Sequence, residues 1–429
     1  MSRIATSNCI ATASRPNRKV PANSEVKIAQ VISRLCVGGA SVEVVLTTEA
    51  LMQRGYSTLL LAGNTSADEA SLEGFAGNHG VPPIKIEGLS RDISWWKDVG
   101  ALWNLVRIFR RERPTIIHTH TAKAGVLGRI AACLAGVPII VHTFHGHVFT
   151  GHFSFLKTRA FIALERFLAQ WTDCLVAVSE SQGRELVDEY QIGPSSKFVT
   201  IPGGLELDCL LSLNGYKGAV RLAARCPVGH ALVGWVGRMD PVKNPELFVK
   251  AEALTLTDFR SARFVMVGDG ELRPHVEFGL KKENIGSAVT LLGWRSDLPE
   301  IYADLDLVVL TSRHEGTPLV LVEAMASGKP FVATNVGGIR DMVVGEGRQR
   351  VGFQVFENGI LADSAPAAVA AATRYVLENP EEARAMGRSG RAFASQMFLH
   401  HRLANDLEQL YLRLLKQKQV SQMIFPEAV

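Results

Sequence analysis

The chain is poor in the features that would place it quickly. Its six cysteines, Cys9, Cys36, Cys133, Cys174, Cys209 and Cys226, never fall in a C-x2-C spacing, which argues against a zinc site or a thioredoxin-like couple. Single cysteines scattered through apolar segments suit a reducing compartment. No apolar run approaches the roughly 18 residues needed to span a bilayer. Charge is nearly balanced, with 46 Lys+Arg against 42 Asp+Glu and a formal net charge of +4 in 429 residues. Binding to a phosphate backbone requires clustered basic residues, so a nucleic-acid partner is not expected. No repeat of 20–50 residues is visible, which excludes solenoids and propellers. Acids are missing from the first 24 residues, which carry Arg3, Arg15, Arg18 and Lys19. That stretch has no apolar h-region, so it is not a secretory signal. Its composition is transit-peptide-like, but the reading adopted is a flexible leader over residues 1–24.

What is present is an ordinary globular composition, 47% apolar, enough to build two full cores and incompatible with a disordered or collagen-like chain. Length alone suggests about three domains, and two large α/β domains fit as well. Apolar runs at residues 26–32, 57–62, 115–118, 138–141 and 174–178 read as strands. Helical stretches at residues 41–54 and 122–134 lie between them, and Ser179 is placed to cap another. A Pro- and Gly-bearing segment, residues 198–208, reads as a linker. The alternation then restarts with strands at residues 232–236, 264–267, 289–292, 307–310 and 331–333, and a helix at 319–326. Strands alternating with helices imply parallel sheets covered on both faces. The expectation is two doubly wound, Rossmann-like domains, residues 25–203 and 204–395, with a helical tail at about 396–418. Ligands of such sheets bind beyond the carboxyl ends of the strands.

Several unusual residues sit there. The densest string runs from Ser312 to Ala324 and contains Glu315, Gly316, Thr317, Pro318, Leu319, Val320 and Glu323. Pro318 suits the first helical turn, with Thr317 or Gly316 as cap. The unpaired amides of Leu319 and Val320 would then seat a diphosphate. Glu323, one to two turns in, could accept two vicinal ribose hydroxyls, and Glu315 a sugar hydroxyl. Arg238 and Lys243 follow another strand at a Gly-bearing turn, where a fork and a point charge could stabilise a departing diphosphate. Gly38-Gly39 would let backbone approach a ligand. His142, His145, His147 and His152 invite a metal reading, but no Cys or acid cluster accompanies them. A single presented imidazole, His145, is preferred.

Three strings are lookalikes. Gly268-Asp269-Gly270 starts like a dinucleotide fingerprint but has Arg273 where the third glycine belongs. Gly328-Lys329-Pro330 lacks the rest of a Walker loop. Asp304-Leu305-Asp306 precedes a strand, on the wrong side of the sheet, and reads as structural. Two segments are both aromatic and basic: residues 95–113, with Trp95, Trp96, Trp103, Arg107, Arg110 and Arg111, and residues 149–171, with Phe149, Phe153, Phe155, Phe161, Phe167 and Trp171. They suit core-facing helices, and they suit contact with anionic lipid.

Together these residues resemble the retaining GT-B glycosyltransferases of family 4, over roughly residues 26–415. Glu315 and Glu323 match that family's E-x7-E motif, Arg238 and Lys243 its phosphate-clamping pair, and Gly38-Gly39 its N-terminal glycine loop. His145 matches its active-site histidine, Gly268 and Gly270 its second-domain glycine turn, and Trp294 and Arg295 the loop near the base. The resemblance implies two domains facing a central cleft, with the last helix crossing back to the first. It implies transfer of a sugar, with retention, from a nucleotide-diphosphate donor, most often UDP, to a glycan or lipid-linked acceptor. The second domain would hold the donor, no metal or other cofactor would be required, and Glu315, His145, Arg238 and Lys243 would be the catalytic set. Cell-envelope or exopolysaccharide synthesis in the cytoplasm, peripheral on the inner membrane face, is the expected setting. One departure is the hinge, Gly203-Gly204-Leu205-Glu206 where many members read N-G-V-D. The rivals are an NAD-dependent oxidoreductase, which needs a G-x-G-x-x-G that Gly38-Gly39 does not supply, a sugar-nucleotide epimerase, a phosphorylase of like architecture, and a non-catalytic envelope-assembly partner.

Overall fold

A computed structural model describes residues 26–36, 38–65, 71–90, 94–146, 155–215 and 218–424. The leader, His147, His152, Phe149, Phe153 and the Phe155 side chain lie outside the described residues. The chain forms two compact units, and it passes from one to the other after Leu205 and again after Phe398.

The first unit holds strands β1 (Lys27–Ile32), β2 (Ser57–Ala62), β3 (Ile84–Lys85), β4 (Ile116–His120), β5 (Ile139–Phe144), β6 (Cys174–Ala177) and β7 (Phe198–Thr200). They pair in parallel in the order β3-β2-β1-β4-β5-β6-β7. The linker reading of residues 198–208 is thus corrected at its start. Val199 is held by partners on β6 that its own Pro-rich flank does not advertise.

Side chains alternate between faces along each strand. Ala29 and Val31 join Ile117 and Ile140 under the helices Trp95–Glu112 and Ala122–Ala135. Ile28, Ile116, Ile139 and Val141 pack instead on Leu403, Leu407, Leu410, Tyr411 and Leu414 of the last helix, His400–Ile424. The C-terminal helix therefore completes the first unit's core. Ser179 caps its helix as expected, its hydroxyl accepting from the Gln182 amide. Switching of chain direction between β1 and β4 opens the place where such sheets take ligands.

The second unit holds β8 (Ala231–Val236), β9 (Ala262–Val267), β10 (Val289–Gly293), β11 (Leu307–Leu310), β12 (Phe331–Thr334), β13 (Arg348–Arg350), β14 (Phe353–Val355) and β15 (Ile360–Ala362). Their order is β10-β9-β8-β11-β12-β15-β14-β13, with β14 antiparallel to both its neighbours. Trp235, Phe248, Phe264 and Met266 anchor its core. The switch point here lies between β8 and β11. Asp304 has the structural role read from sequence, since its carboxylate accepts the amides of Gly218 at 2.6 Å and Val220 at 2.8 Å at the start of the helix Ala219–Ala223. No helix among the described residues is long and apolar enough to cross a membrane.

Candidate active site

The second unit's switch point gathers most of the expected site. The loop after β8 carries Arg238 and Lys243, and the loop after β11 carries Glu315. Lys243 Nζ lies 2.5 Å from Glu315 Oε1, which also accepts the Ser312 hydroxyl at 2.6 Å. The two motifs thus meet as one ion pair, with side-chain exposures of 24% and 11%. Arg238 is exposed and forms no ion pair among the described residues. The loop after β8 thus presents a half-buried cation paired with an acid and, five residues before it, an exposed guanidinium.

Backbone ties hold these loops in place. Thr311, between β11 and the motif, takes the Trp235 indole N–H at 3.1 Å and donates to the Asn244 carbonyl at 3.0 Å. The Arg313 amide donates to Val242 at 2.8 Å, and Gly338 to the Glu315 carbonyl at 3.0 Å. Gly268 and Gly270 belong to the same lattice. Gly237 donates to Val267 and Met239 to Asp269, each at 2.9 Å. Gly268 has φ 121°, and a Cβ on it would overlap the Gly237 carbonyl oxygen, so only glycine fits. Trp294 and Arg295 follow β10. Trp294 is 63% exposed, and Arg295 pairs with Asp297.

The helix carrying Glu323 runs Leu319–Ala326, with Pro318 as its N-cap residue and no side-chain cap. This corrects the expectation that Pro318 opens the helix behind a Thr317 or Gly316 cap. Its ψ of 113° is extended, and its carbonyl accepts from Leu321 at 3.0 Å. The amides of Leu319 and Val320 find no intrahelical acceptor, as helix geometry requires. Open amides with the helix dipole behind them are what an anion seat requires. One turn on, Glu323 accepts the buried Tyr302 hydroxyl at 2.7 Å. Burial pushes the Glu323 carboxyl up to about 7, against the pull of Tyr302 and the Lys243 charge. Sequence reading missed Tyr302, because an aromatic in an apolar helix signals core and nothing more.

Gly38, Gly39 and His145 lie in the first unit. Gly38 precedes the helix Gly39–Gln53, and a Cβ there would meet nothing within 4 Å. The fold itself does not need that glycine. His145 follows β5, beside Glu43 and His120. His142 points to the other face of the sheet, is buried and bonds Thr119 at 2.9 Å. Among the described residues no group of three or more His, Cys, Asp or Glu is placed to hold a metal ion.

Two doubly wound units, each with polar residues gathered at the strand ends of a switch point, define the class: α/β proteins that take their ligands there. Comparison with known proteins gives the family. Residues 37–208 match the model of Glycosyltransferase Family 4, and residues 230–379 that of Glycosyl transferases group 1. The UDP-Gal:alpha-D-GlcNAc-diphosphoundecaprenol alpha-1,3-galactosyltransferase of Escherichia coli is 35% identical over 263 residues, 60% of this chain and 67% of that one. A D-inositol 3-phosphate glycosyltransferase of Segniliparus rotundus is 28% identical over 84% of this chain and 81% of its own. The crystal structure of HepE from Anabaena with UDP aligns at TM-score 0.74 and 20% identity, over 90% of this chain and 100% of that one, a likeness of fold. The chain belongs to the family 4, group 1 glycosyltransferases and has the GT-B fold.

Proposed function

We propose that this glycosyltransferase moves a hexose from a UDP-sugar to a lipid-linked glycan, with retention of configuration. The observation that carries the donor side is the Lys243–Glu315 pair beside the uncapped helix start at Leu319. A diphosphate arriving there meets two amides, the Arg238 guanidinium and the Lys243 ammonium. Lys243 can turn from Glu315 to the phosphate, while Ser312 keeps hold of the freed carboxylate. Glu315 then accepts a hydroxyl of the donor sugar and Glu323 the ribose hydroxyls. In the reaction the bond from the anomeric carbon to the diphosphate oxygen breaks. The acceptor oxygen bonds on the same face, and its proton goes to the departing phosphate oxygen. Fixed positive groups stabilise the charge that develops there. His145 serves the transfer from the first unit, hydrogen-bonding a hydroxyl of the reacting sugars.

The Escherichia coli relative, whose name specifies UDP-Gal and a diphosphoundecaprenol-linked acceptor, supports both the base and the acceptor class. A thermal-shift screen of UDP, GDP, ADP and their sugars tests the donor, since specific binding raises Tm by mass action. UDP should stabilise and GDP and ADP should not; a preference for either of the others overturns the assignment. A product assay with a polyprenyl-diphosphate GlcNAc acceptor tests the second half. Formation of free sugar alone, with and without acceptor, would contradict transfer.

A lipid-linked acceptor also suits the helix Trp95–Glu112. Ala101, Leu105, Val106 and Phe109 face the core, while Trp95, Trp96 and Trp103 are 84%, 91% and 58% exposed, with Lys97, Arg107, Arg110 and Arg111 on the outside. Tryptophan beside basic residues suits the interface of an anionic bilayer, and we assign this helix to peripheral membrane contact in the cytoplasm. Co-sedimentation with vesicles containing phosphatidylglycerol should fall when the three tryptophans become serine, and unchanged binding would remove the assignment.

A further inference from the structure

The strand ends of the first unit carry a chain of polar groups in the core face covered by the helices Gly39–Gln53 and His400–Ile424. Gln30 donates from its amide to the Tyr411 hydroxyl at 3.3 Å and accepts from His120 Nε2 at 2.7 Å. Tyr411 lies 2.6 Å from His118 Nδ1, and His118 Nε2 lies 2.6 Å from the Thr143 hydroxyl. His120 Nδ1 lies 2.8 Å from His145 Nε2, and His145 Nδ1 is 3.3 Å from a Glu43 carboxylate oxygen. A small cavity borders Glu43, His120, Thr143, His145, Gly203 and Leu403.

One end of this chain is fixed by chemistry. Burial, aided by His118, His145 and His142, keeps His120 neutral, so its single ring proton serves either Gln30 or His145. The Nδ1 of His145 faces a carboxylate, which only accepts, so that nitrogen is placed to donate to Glu43.

Glu43 is an odd residue for its place. It sits on the inward face of its helix, 7% exposed, among Val44, Leu46 and Thr47. The room for its carboxylate exists because residue 203 has no side chain: a Cβ on Gly203 would overlap Glu43 Oε1. Gly203 does not have a left-handed backbone, so an alanine there would act by displacing the Glu43 carboxylate. Arg402 braces the same spot. It donates to the Gly203 carbonyl at 2.7 Å, and its charge faces Glu43. This gives a physical reason for the glycine at the hinge position where many members have asparagine.

We infer that Glu43 is the positioning residue of His145, holding the ring by Nδ1–H, with Gly203 supplying the clearance. The inference rests on the reading that His145 serves the transfer.

Two measurements on the full chain test it. In histidine-15N NMR of the unliganded protein at pH 7.5, His145 Nδ1 should show the protonated shift, and Glu43→Gln should move it toward the unprotonated value. In kinetics, Glu43→Gln and Glu43→Ala should lower kcat tenfold or more while the KM for the nucleotide-sugar stays within twofold, since the donor residues lie in the other unit. Gly203→Ala should lower kcat to the same extent, yet cost nothing further in a Glu43→Ser background. That non-additivity distinguishes a steric clash with the carboxylate from general damage to the hinge. Unchanged His145 shifts in Glu43→Gln, or additive effects of Gly203→Ala and Glu43→Ser, overturn the inference. If His145→Ala itself transfers at the wild-type rate, the role of His145 fails and Glu43 loses its function with it. If His145→Ala is inactive and Glu43→Gln is fully active, only the positioning role is lost.

Discussion

The two strand-end clusters treat polar groups in opposite ways. Among the described residues of the second unit, Arg238 is exposed, the amides of Leu319 and Val320 have no acceptor, and the Lys243 ammonium pairs with Glu315 alone. In the first unit the polar chain closes on itself: Gln30, His118 and His120 are each at most 4% exposed, and each has protein partners. A site for a doubly charged leaving group needs positive potential prepared in advance and left unfilled, because reorganisation during the reaction would cost part of the rate. A site that aims one imidazole needs the reverse, a network with no unsatisfied member. Both arrangements sit at switch points of like sheets, so fold alone does not distinguish them.

The sharpest way to break this comparison is to remove a charge from each unit. Lys243→Ala should reduce kcat by about a thousandfold, and Arg238→Ala by about a hundredfold, within the range for losing one charge-stabilising donor. Tm should hardly move in either case. A Lys243→Ala enzyme with near-normal turnover would contradict the clamp. In the first unit the buried pair Arg129–Glu165, 2.6 Å apart with side chains 1% and 2% exposed, should behave differently. Glu165→Ala leaves the guanidinium without its counter-charge and should cost about 3–5 kcal/mol of stability. Urea unfolding measures it, and a loss under about 1 kcal/mol would show that water reaches Arg129.

Much of the second unit's strand-end cluster was legible because its signals are local. A short apolar run, a Gly-bearing turn, then charge at fixed spacing defines β8 with Arg238 and Lys243, and β11 with Glu315. Helix Leu319–Ala326 has the bounds its apolar block suggested. What was illegible depends on partners distant in sequence. β13, β14 and β15 have three residues each, too few for a two-residue period to show, and β13 is wholly exposed. Glu43 and Glu252 look like solvated helix positions; only the packed helices above them reveal burial. The meeting of Lys243 with Glu315 joins two motifs read as having separate duties. Gly203 was visible as a departure from the family hinge, but its reason lies in Glu43.

A milder contrast within the second unit concerns two carboxyls that burial raises, Glu252 and Glu323. Glu252, fully buried between the helices Pro245–Asp258 and Pro366–Glu378, has one oxygen near Thr373 and the other without a partner among the described residues. Burial pushes it up to about 8. An acid raised on folding withholds stability as pH climbs from its unfolded value of 4.5 to the folded one. Glu252→Met should therefore stabilise by about 2 kcal/mol at pH 8, with the gain shrinking toward pH 5. A pH-independent change would show the gain to be packing alone.

Glu323 is raised for the same cause but at the position proposed to meet the ribose of the donor. The ionised carboxyl accepts from two hydroxyls, the neutral one less strongly, so on the proposed reading ribose binding draws its titration downward from about 7. The sign follows directly: affinity for UDP should be constant above pH 8 and fall as the carboxyl takes up a proton. By linkage the limiting slope is one decade per pH unit, so UDP should bind about tenfold more weakly at pH 6 than at pH 8. The terminal phosphate of UDP also titrates, and Glu323→Gln removes the protein's part from that background. Calorimetry at three pH values on both proteins gives the difference. If wild type and Glu323→Gln weaken in parallel, the carboxyl does not meet the ribose, and its burial against Tyr302 would be a property of the core, as with Glu252.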